Sequence, residues 1–471
     1  MTQINWTEEV NKRKEQLIKD TQEFLRIKSV LDEENATPEA PLGKGVQEAL
    51  QYMLKKGEKD GYSVKDVEHL AGHIEMGSGE DMLGILCHVD VVPEGDGWSS
   101  DPYGAEIRNG KIFARGVLDD KGPTMAAYYA MNIVKELGLP LSKRVRMILG
   151  TDEESEWRCV DTYFKHEEMP TLGFAPDADF PIIFAEKGIW DFYMKQAPNL
   201  EDGFAEVTVK QFESGRRFNM VPDFAKAVLE TNEASSDIQA AFEVFLAKHE
   251  LKGEAKEEGN AIVLELQGVS AHGMEPKNGV NAGLYLSLFL NKLPLSKHAK
   301  DYFAFVVKYL LDDSRGNSFG IAYNDEETGG DVTLNVGLLR YSKANGGQIG
   351  VNLRYPVSYN YETASTKLKE VLKGCHFTLE TLSHSKPHHV KSDSFLVQTL
   401  SKVYEGQTGE KAELIAIGGG TYARSLEAGV AFGPLFPGRE DIAHQKDEYM
   451  YIDDLLKATA LYAEAIYELA K

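Results

Sequence analysis

Four clusters of acidic and histidine residues follow apolar runs in the first part of the chain. They are His88-Val89-Asp90, Asp119-Asp120-Lys121-Gly122, Asp152-Glu153-Glu154, and Asp177 with Asp179. In open α/β sheets, ligands gather beyond the carboxyl ends of the strands, so clusters at four such ends can converge on one site. Residues two apart on a strand face the same way, and Asp90 can therefore hydrogen-bond His88 and aim its imidazole at a metal. Taken singly, each cluster has an ordinary structural explanation. Asp-Asp-Lys-Gly suits a turn and a helix start, adjacent glutamates suit a solvated face, and a histidine beside a strand suits a bonded core residue. Their joint order, with a His-x-Asp inside an otherwise apolar run, favours a metal site.

The elements that must carry these residues alternate. Residues 82–92 and 144–150 are compact apolar runs. Between them Gly122-Pro123 opens a helical stretch that ends near Leu137-Gly138, with proline in the first turn and glycine just past the end. Strands alternating with helices predict an α/β domain with a mostly parallel sheet flanked by helices. Leu455, Thr459, Tyr462, Ala463 and Ile466 fall on one face of a long C-terminal amphipathic helix.

The middle of the chain reads differently. Ile262, Leu264 and Leu266 alternate with Val263, Glu265 and Gln267, and Ile349, Val351 and Leu353 with Gly350, Asn352 and Arg354. With helical patterns near Ile238–Leu246 and 280–293, this predicts an α+β module with one sheet face open. The charged stretch Lys252 to Gly259 reads as a solvated loop. The expected organisation is a catalytic domain of residues 1–187 and 385–471, interrupted by a lid domain of residues 188–384.

Of the 471 residues, 42% are hydrophobic and 27% charged, enough for a sizeable core. Lys and Arg number 51 against 74 Asp and Glu, a formal charge of −23. That balance disfavours nucleic acid and anionic membranes as partners. Cys87, Cys159 and Cys375 are scattered, without a CxxC pair, which suits a reducing compartment and a cytoplasmic location. The first twenty or so residues lack a signal-peptide core, and no apolar run is long enough to span a bilayer. Gly418-Gly419-Gly420-Thr421 resembles a phosphate loop only superficially, because GxxxxGK[ST] is absent. His69, His73, His166, His249, His298, His376, His384, His388 and His389 show no ligand spacing.

The strings LCHVDVVP, GVLDDKGP, TDEESEW and APDAD, with GGGTYAR at 418–424 and a late His444 followed by Asp447 and Glu448, resemble the aminoacylase/carnosinase-like family of dinuclear metallopeptidases. The resemblance runs essentially end to end. It implies that His88, Asp119, Glu154, Asp177 and His444 are metal ligands, with Asp119 bridging and its bond to Asp120 cis. Asp90 would orient His88, and Glu153 would be the general base. His272 would stabilise the oxyanion from the lid, and Asn219, Arg354, Gly419, Gly420 and Thr421 would bind substrate. Arg424 is a second candidate for the substrate carboxylate. Three carboxylates against two divalent ions leave one positive charge, which a bridging hydroxide would neutralise. Each ion keeps an open position, and the N/O donor set suits Zn²⁺, with Mn²⁺ or Co²⁺ as alternatives.

The activity this implies is hydrolysis of unblocked dipeptides, β-alanyl ones included, by a metal-bridged hydroxide with Glu153 as base. The alternative is a deacylase of N-acyl amino acids or of succinylated or acetylated diamino acids at the same metals. The long insert resembles a branch whose lid completes the site within one chain, which implies a monomer acting on a small peptide.

Overall fold

The computed structural model describes residues 4–199, 205–231 and 235–471. The chain forms two compact units. The first comprises Met1–Ala185, His389–Ala416 and Gly420–Lys471, and the second Glu186–His388 with Ile417–Gly419. Hydrogen bonds tie that short return segment to the second unit: Lys187 N donates to Ile417 O at 3.1 Å, and the Arg354 side chain donates from Nη1 to Gly418 O at 2.6 Å.

The first unit is α/β, and its sheet is mixed. The strands Met82–His88, Arg144–Gly150, Leu172–Ala175 and Gly429–Ala431 pair in parallel at the centre. Antiparallel strands flank them, Ser63–Val67 and Ala71–Met76 on one side and Ile182–Glu186 on the other. Every residue of Met82–His88 is buried, as a sheet covered on both faces requires. The helix Lys121–Glu136 is almost wholly buried and packs against the C-terminal helix Ile452–Ala470, whose residues Leu455, Thr459, Tyr462, Ala463 and Ile466 are all buried. The start of Lys121–Glu136 tolerates only glycine at position 122, because a Cβ there would stand 2.0 Å from the Val117 carbonyl oxygen.

The second unit is an antiparallel sheet of eight strands. Their order is Lys252–Glu258, Ala261–Gln267, Phe224–Thr231, Val207–Ser214, Thr333–Ser342, Gly346–Tyr355, Gly188–Gln196 and Phe377–Ser385. One face carries Trp190, Phe192, Ile262, Leu264, Leu266, Ile349, Val351 and Leu353. These pack with Phe242, Phe289, Tyr302 and Phe303 from the helices Ser235–Lys248, Ala282–Leu290 and Lys297–Tyr309.

Two expectations for this unit are corrected. Lys252–Glu258 is an edge strand, not a loop. Gly259 (φ +64°) and Asn260 make a two-residue turn that returns the chain onto Ala261–Gln267, so the backbone pairs while the charged side chains stay outside. Such charges also guard an edge against pairing with another chain. The face opposite the core is not open around Gly350, Asn352 and Arg354, all of which are buried. Segments of the same unit cover it: a Cβ on Gly350 would meet the Phe218 ring at 3.0 Å, and Gly418 lies against Arg354. Among the described residues, no helix is long and apolar enough to cross a membrane.

Candidate active site

The parallel strands of the first unit deliver the acidic clusters to their carboxyl ends. His88 closes the strand Met82–His88 and is fully buried. Its Nε2 lies 2.9 Å from Asp119 Oδ1 and 3.6 Å from Asp177 Oδ1. Its Nδ1 lies 3.1 Å from the Asp90 carbonyl oxygen and 3.4 Å from Asp90 Oδ1. The Asp90 carboxylate also accepts the backbone amides of Glu153 (3.2 Å) and Glu154 (3.1 Å). One side chain thus ties the strand-end histidine to the turn bearing the two glutamates.

Asp119 and Asp120 precede the helix Lys121–Glu136, and the peptide between them is cis. Asp120 turns inward, where its Oδ2 accepts from His88 N and from Thr124 Oγ1, both at 3.1 Å. Asp119 turns the other way. His444 Nε2 is 3.0 Å from Asp119 Oδ2 and 3.0 Å from Glu154 Oε1. Asp119 therefore offers one oxygen to each imidazole. Three sets of side chains bring their donor atoms close enough to share an ion: His88 with Asp119 and Asp177, Asp119 with Glu154 and His444, and His88 with Glu153 and Glu154.

The electrostatics match a cation site. Burial, then the charge of Asp177, pushes Glu153 well above the usual carboxylate range. Burial and the Asp119 charge push Asp177 up to about 7 and raise Glu154. Burial also opposes ionisation of Asp119, yet hydrogen bonds from His444 and His88 hold it low. Bonds to Asp119 and Glu154 lift His444 to about 10. Burial works against the charged form of His88, but Asp177 and Asp119 raise it well above the ordinary imidazole value. Acids that repel one another and imidazoles that cling to protons both signal a place where positive charge is favourable. The donors are nitrogen and carboxylate oxygen with no sulfur, a set suited to divalent ions such as Zn²⁺ or Mn²⁺.

The remaining expected site residues divide between the units. Gly420 and Thr421 belong to the first, with Thr421 buried. His272, Asn219, Arg354 and Gly419 belong to the second. There the structure brings His272 and Asn219 together: Gly273 N donates to Asn219 O at 2.7 Å, and Met220 bridges to His272 in antiparallel fashion. His272 Nδ1 accepts from Met274 N at 3.1 Å, and burial with the nearby Arg354 charge lowers its pKa. His388-His389 forms a two-residue strand and joins none of the potential ligand groups among the described residues.

Two supporting residues had no role in the sequence reading. Glu448 is fully buried, and its carboxylate accepts from Arg115 Nη1 (2.6 Å), Gly116 N (3.1 Å), Leu118 N (2.8 Å) and Asp119 N (3.4 Å). It clamps the backbone that presents Asp119. Tyr422, in GGGTYAR, sets its ring edge-on to His88 at 5.9 Å, and its hydroxyl lies 3.2 Å from Cys159 Sγ. A Cβ on Gly150 would stand 1.8 Å from that hydroxyl, so the strand ends in glycine where the tyrosine crosses it. The signals in sequence were an acidic residue four beyond the late histidine and a tyrosine after the triple glycine, and neither says what it touches.

A pair of α/β and antiparallel units, with an acidic, histidine-bearing cluster beyond parallel strands, is the architecture of a hydrolase with a catalytic and a lid domain. The profile of peptidase family M20/M25/M40 matches residues 84–468, and the chain belongs to that family of peptide-bond hydrolases. Two curated relatives carry the name "Putative dipeptidase". YtjP of Bacillus subtilis (strain 168) is 56% identical over 99% of this chain and 100% of its own. A Staphylococcus epidermidis (strain ATCC 12228) protein is 47% identical over 98% and 99%. Among solved structures, aminopeptidase PepT from Bacillus cereus shares the fold with a TM-score of 0.58 at 16% identity, covering 97% of this chain and 99% of its own. Human carnosine dipeptidase 1 does so at 0.55 and 14%, covering 98% of each chain.

Proposed function

We propose that this peptidase is a dipeptidase acting on unblocked dipeptides, with β-alanyl dipeptides among its candidate substrates. The observation that carries the reading is the pair of overlapping donor groups that share Asp119, with Glu153 in the same cluster. The dipeptidase names of the full-length relatives support the substrate class. In this reading His88, Asp119 and Asp177 hold one divalent ion, and Asp119, Glu154 and His444 a second. Zn²⁺ is the first candidate, with Mn²⁺ and Co²⁺ as alternatives. When bound, two such ions polarise the scissile carbonyl and lower the pKa of water.

The chain's own residues do the rest. Glu153 takes a proton from the attacking water as its oxygen adds to the acyl carbon. As the C–N bond breaks, Glu153 returns that proton to the leaving amine. Its burial among other acids raises its basicity, which suits both transfers. Asp90 fixes the His88 ring and the Glu153–Glu154 turn. From the second unit, His272 would stabilise the oxyanion, and Asn219 and Arg354 would hold the substrate. Gly419, Gly420 and Thr421 would hold its carboxylate. The buried free thiols of Cys87 and Cys159 support a reducing, cytoplasmic setting. We read the protein as a monomer, which sedimentation tests directly.

The deciding assay uses chelator-treated protein with a free dipeptide, its N-acetylated analogue and a tripeptide, adding Zn²⁺ or Mn²⁺ back separately. Metal-dependent cleavage of the free dipeptide alone is expected. Cleavage mainly of the acetylated compound would make the protein a deacylase at the same cluster.

A further inference from the structure

Across four neighbouring strands of the second unit, polar residues stand in one row. Ser383 pairs with Asp191, Asp191 with Asn352, and Asn352 with Asn335. We propose that Asp191, Asn352 and Asn335 are positioning residues that set Arg354 and Asn219, the two groups assigned above to the substrate. The inference rests on that assignment.

The bonds converge on Asp191 from both sides. Ser383 Oγ donates to Asp191 Oδ2 at 3.2 Å, and Asn352 Nδ2 donates to Asp191 Oδ1 at 2.7 Å. Arg354 Nε then donates to Asn352 Oδ1 at 2.9 Å, while its Nη1 donates to Gly418 O at 2.6 Å. The guanidinium is held at two corners, one bonded to the Gly418–Gly420 loop. Asp191 supplies the direction. An asparagine amide can present either its oxygen or its NH₂ on a given side, and a guanidinium needs the oxygen. Asp191 carries only acceptors when ionised, so it draws the Asn352 NH₂ toward itself and leaves Oδ1 facing Arg354. Asn352 is 2% exposed, so no water can easily substitute for a lost partner.

The other end of the row governs Asn219. Asn335 Nδ2 donates to Phe218 O at 2.6 Å and to Met220 O at 3.0 Å, the carbonyls on either side of it. Both ends of the row adjoin bulges. The pairing slips between Asp191 and Phe192 on one side and between Val336 and Leu338 on the other. Bulges re-aim side chains locally and cluster beside functional sites.

Steady-state kinetics on the metal-loaded, full-length enzyme tests this, with a free dipeptide and the same dipeptide as its C-terminal amide. Asp191→Ala is expected to raise KM for the free dipeptide about tenfold, as loss of a hydrogen bond serving a charged group does, with kcat changed by less than about threefold. The preference for the free dipeptide over the amide should fall by a similar factor. Asp191→Asn, which can still offer an acceptor, should recover most of the loss. In an Arg354→Ala background, Asp191→Ala should add nothing, because the pair acts as one unit. Asn335→Asp, which loses both donors at constant shape, is the second variant and should also raise KM. Equal losses on dipeptide and amide, or effects of Asp191→Ala and Arg354→Ala that simply add, would overturn the positioning role. If Arg354→Ala itself leaves both KM for the free dipeptide and the dipeptide-to-amide preference unchanged, the assignment of Arg354 to the substrate fails instead.

Discussion

The acidic cluster of the first unit and the polar row of the second are both rich in hydrogen-bonding groups, yet they are balanced in opposite ways. In the cluster, Asp119, Glu153, Glu154 and Asp177 surround two imidazoles, and burial with mutual repulsion raises three of those four carboxyls. In the row, the one carboxylate and the one guanidinium are separated by a neutral amide that bonds both. The cluster, by contrast, needs added positive charge to ionise fully.

The sharpest break between them is catalytic. Replacing Glu153 with alanine should lower kcat by about a thousandfold, the scale of a lost general base. The metal content measured by elemental analysis should stay the same, because both overlapping ion groups keep their ligands. A variant that still turns over near the native rate would remove Glu153 from the reaction and with it the contrast drawn here.

The second contrast concerns stability. Glu448 forms the ion pair of the Arg115 guanidinium, and it also binds three backbone amides. Glu448→Ala leaves a charge that is 1% exposed without its carboxylate partner, and should cost about 3–5 kcal/mol in denaturant unfolding. Asp191 in the row is only half-buried and meets neutral donors. Its replacement by alanine should cost about 1 kcal/mol. Equal costs would mean that the row is as tightly bound into its fold as the clamp behind Asp119, and the distinction between them would fall.

What could be read from sequence follows the same division. The convergence of the acidic and histidine residues was legible because they are placed at successive strand ends, and because His88 and Asp90 interrupt an otherwise apolar run. The α/β character and the C-terminal helix were legible from periodicity. The parallel centre was too, though not the antiparallel strands that make the sheet mixed. Glu448, Asn335 and Asp191 were not legible as parts of a site, since each works on backbone groups or on an amide brought near only by folding. Lys252–Glu258 misled for a related reason: its side chains are those of a solvated loop, and its strand character comes from the backbone pairing imposed by the Gly259–Asn260 turn. Covering of the Asn352–Arg354 face depended on the Phe218 and Gly418 segments, which strand alternation does not encode.

A pH-dependent effect concerns a histidine outside the cluster. His73 is 5% exposed, and the Tyr163 hydroxyl donates to its Nδ1 at 2.8 Å while Arg146 Nη1 lies 3.4 Å from that hydroxyl. Burial, then the Arg146 charge, lowers its pKa to about 4, with Glu167 pulling weakly the other way. The unfolded chain binds a proton there below its ordinary value of about 6.5, whereas the folded chain does not until about pH 4. Stability from this group is therefore full above about pH 6.5 and drains away as pH falls toward 4, by about 3 kcal/mol over the whole window. Urea unfolding at about pH 7 and pH 4.5 should show wild type losing more stability than His73→Gln, which keeps an acceptor for Tyr163 and has nothing to titrate. The comparison cancels the carboxylates that titrate in both proteins. Unlike His88 and His444, which the acidic cluster pulls toward the charged form, His73 is pushed toward the neutral one. Equal losses in the two proteins would show that Arg146 and burial do not hold His73 neutral, and that the two kinds of buried histidine in this unit are not opposed.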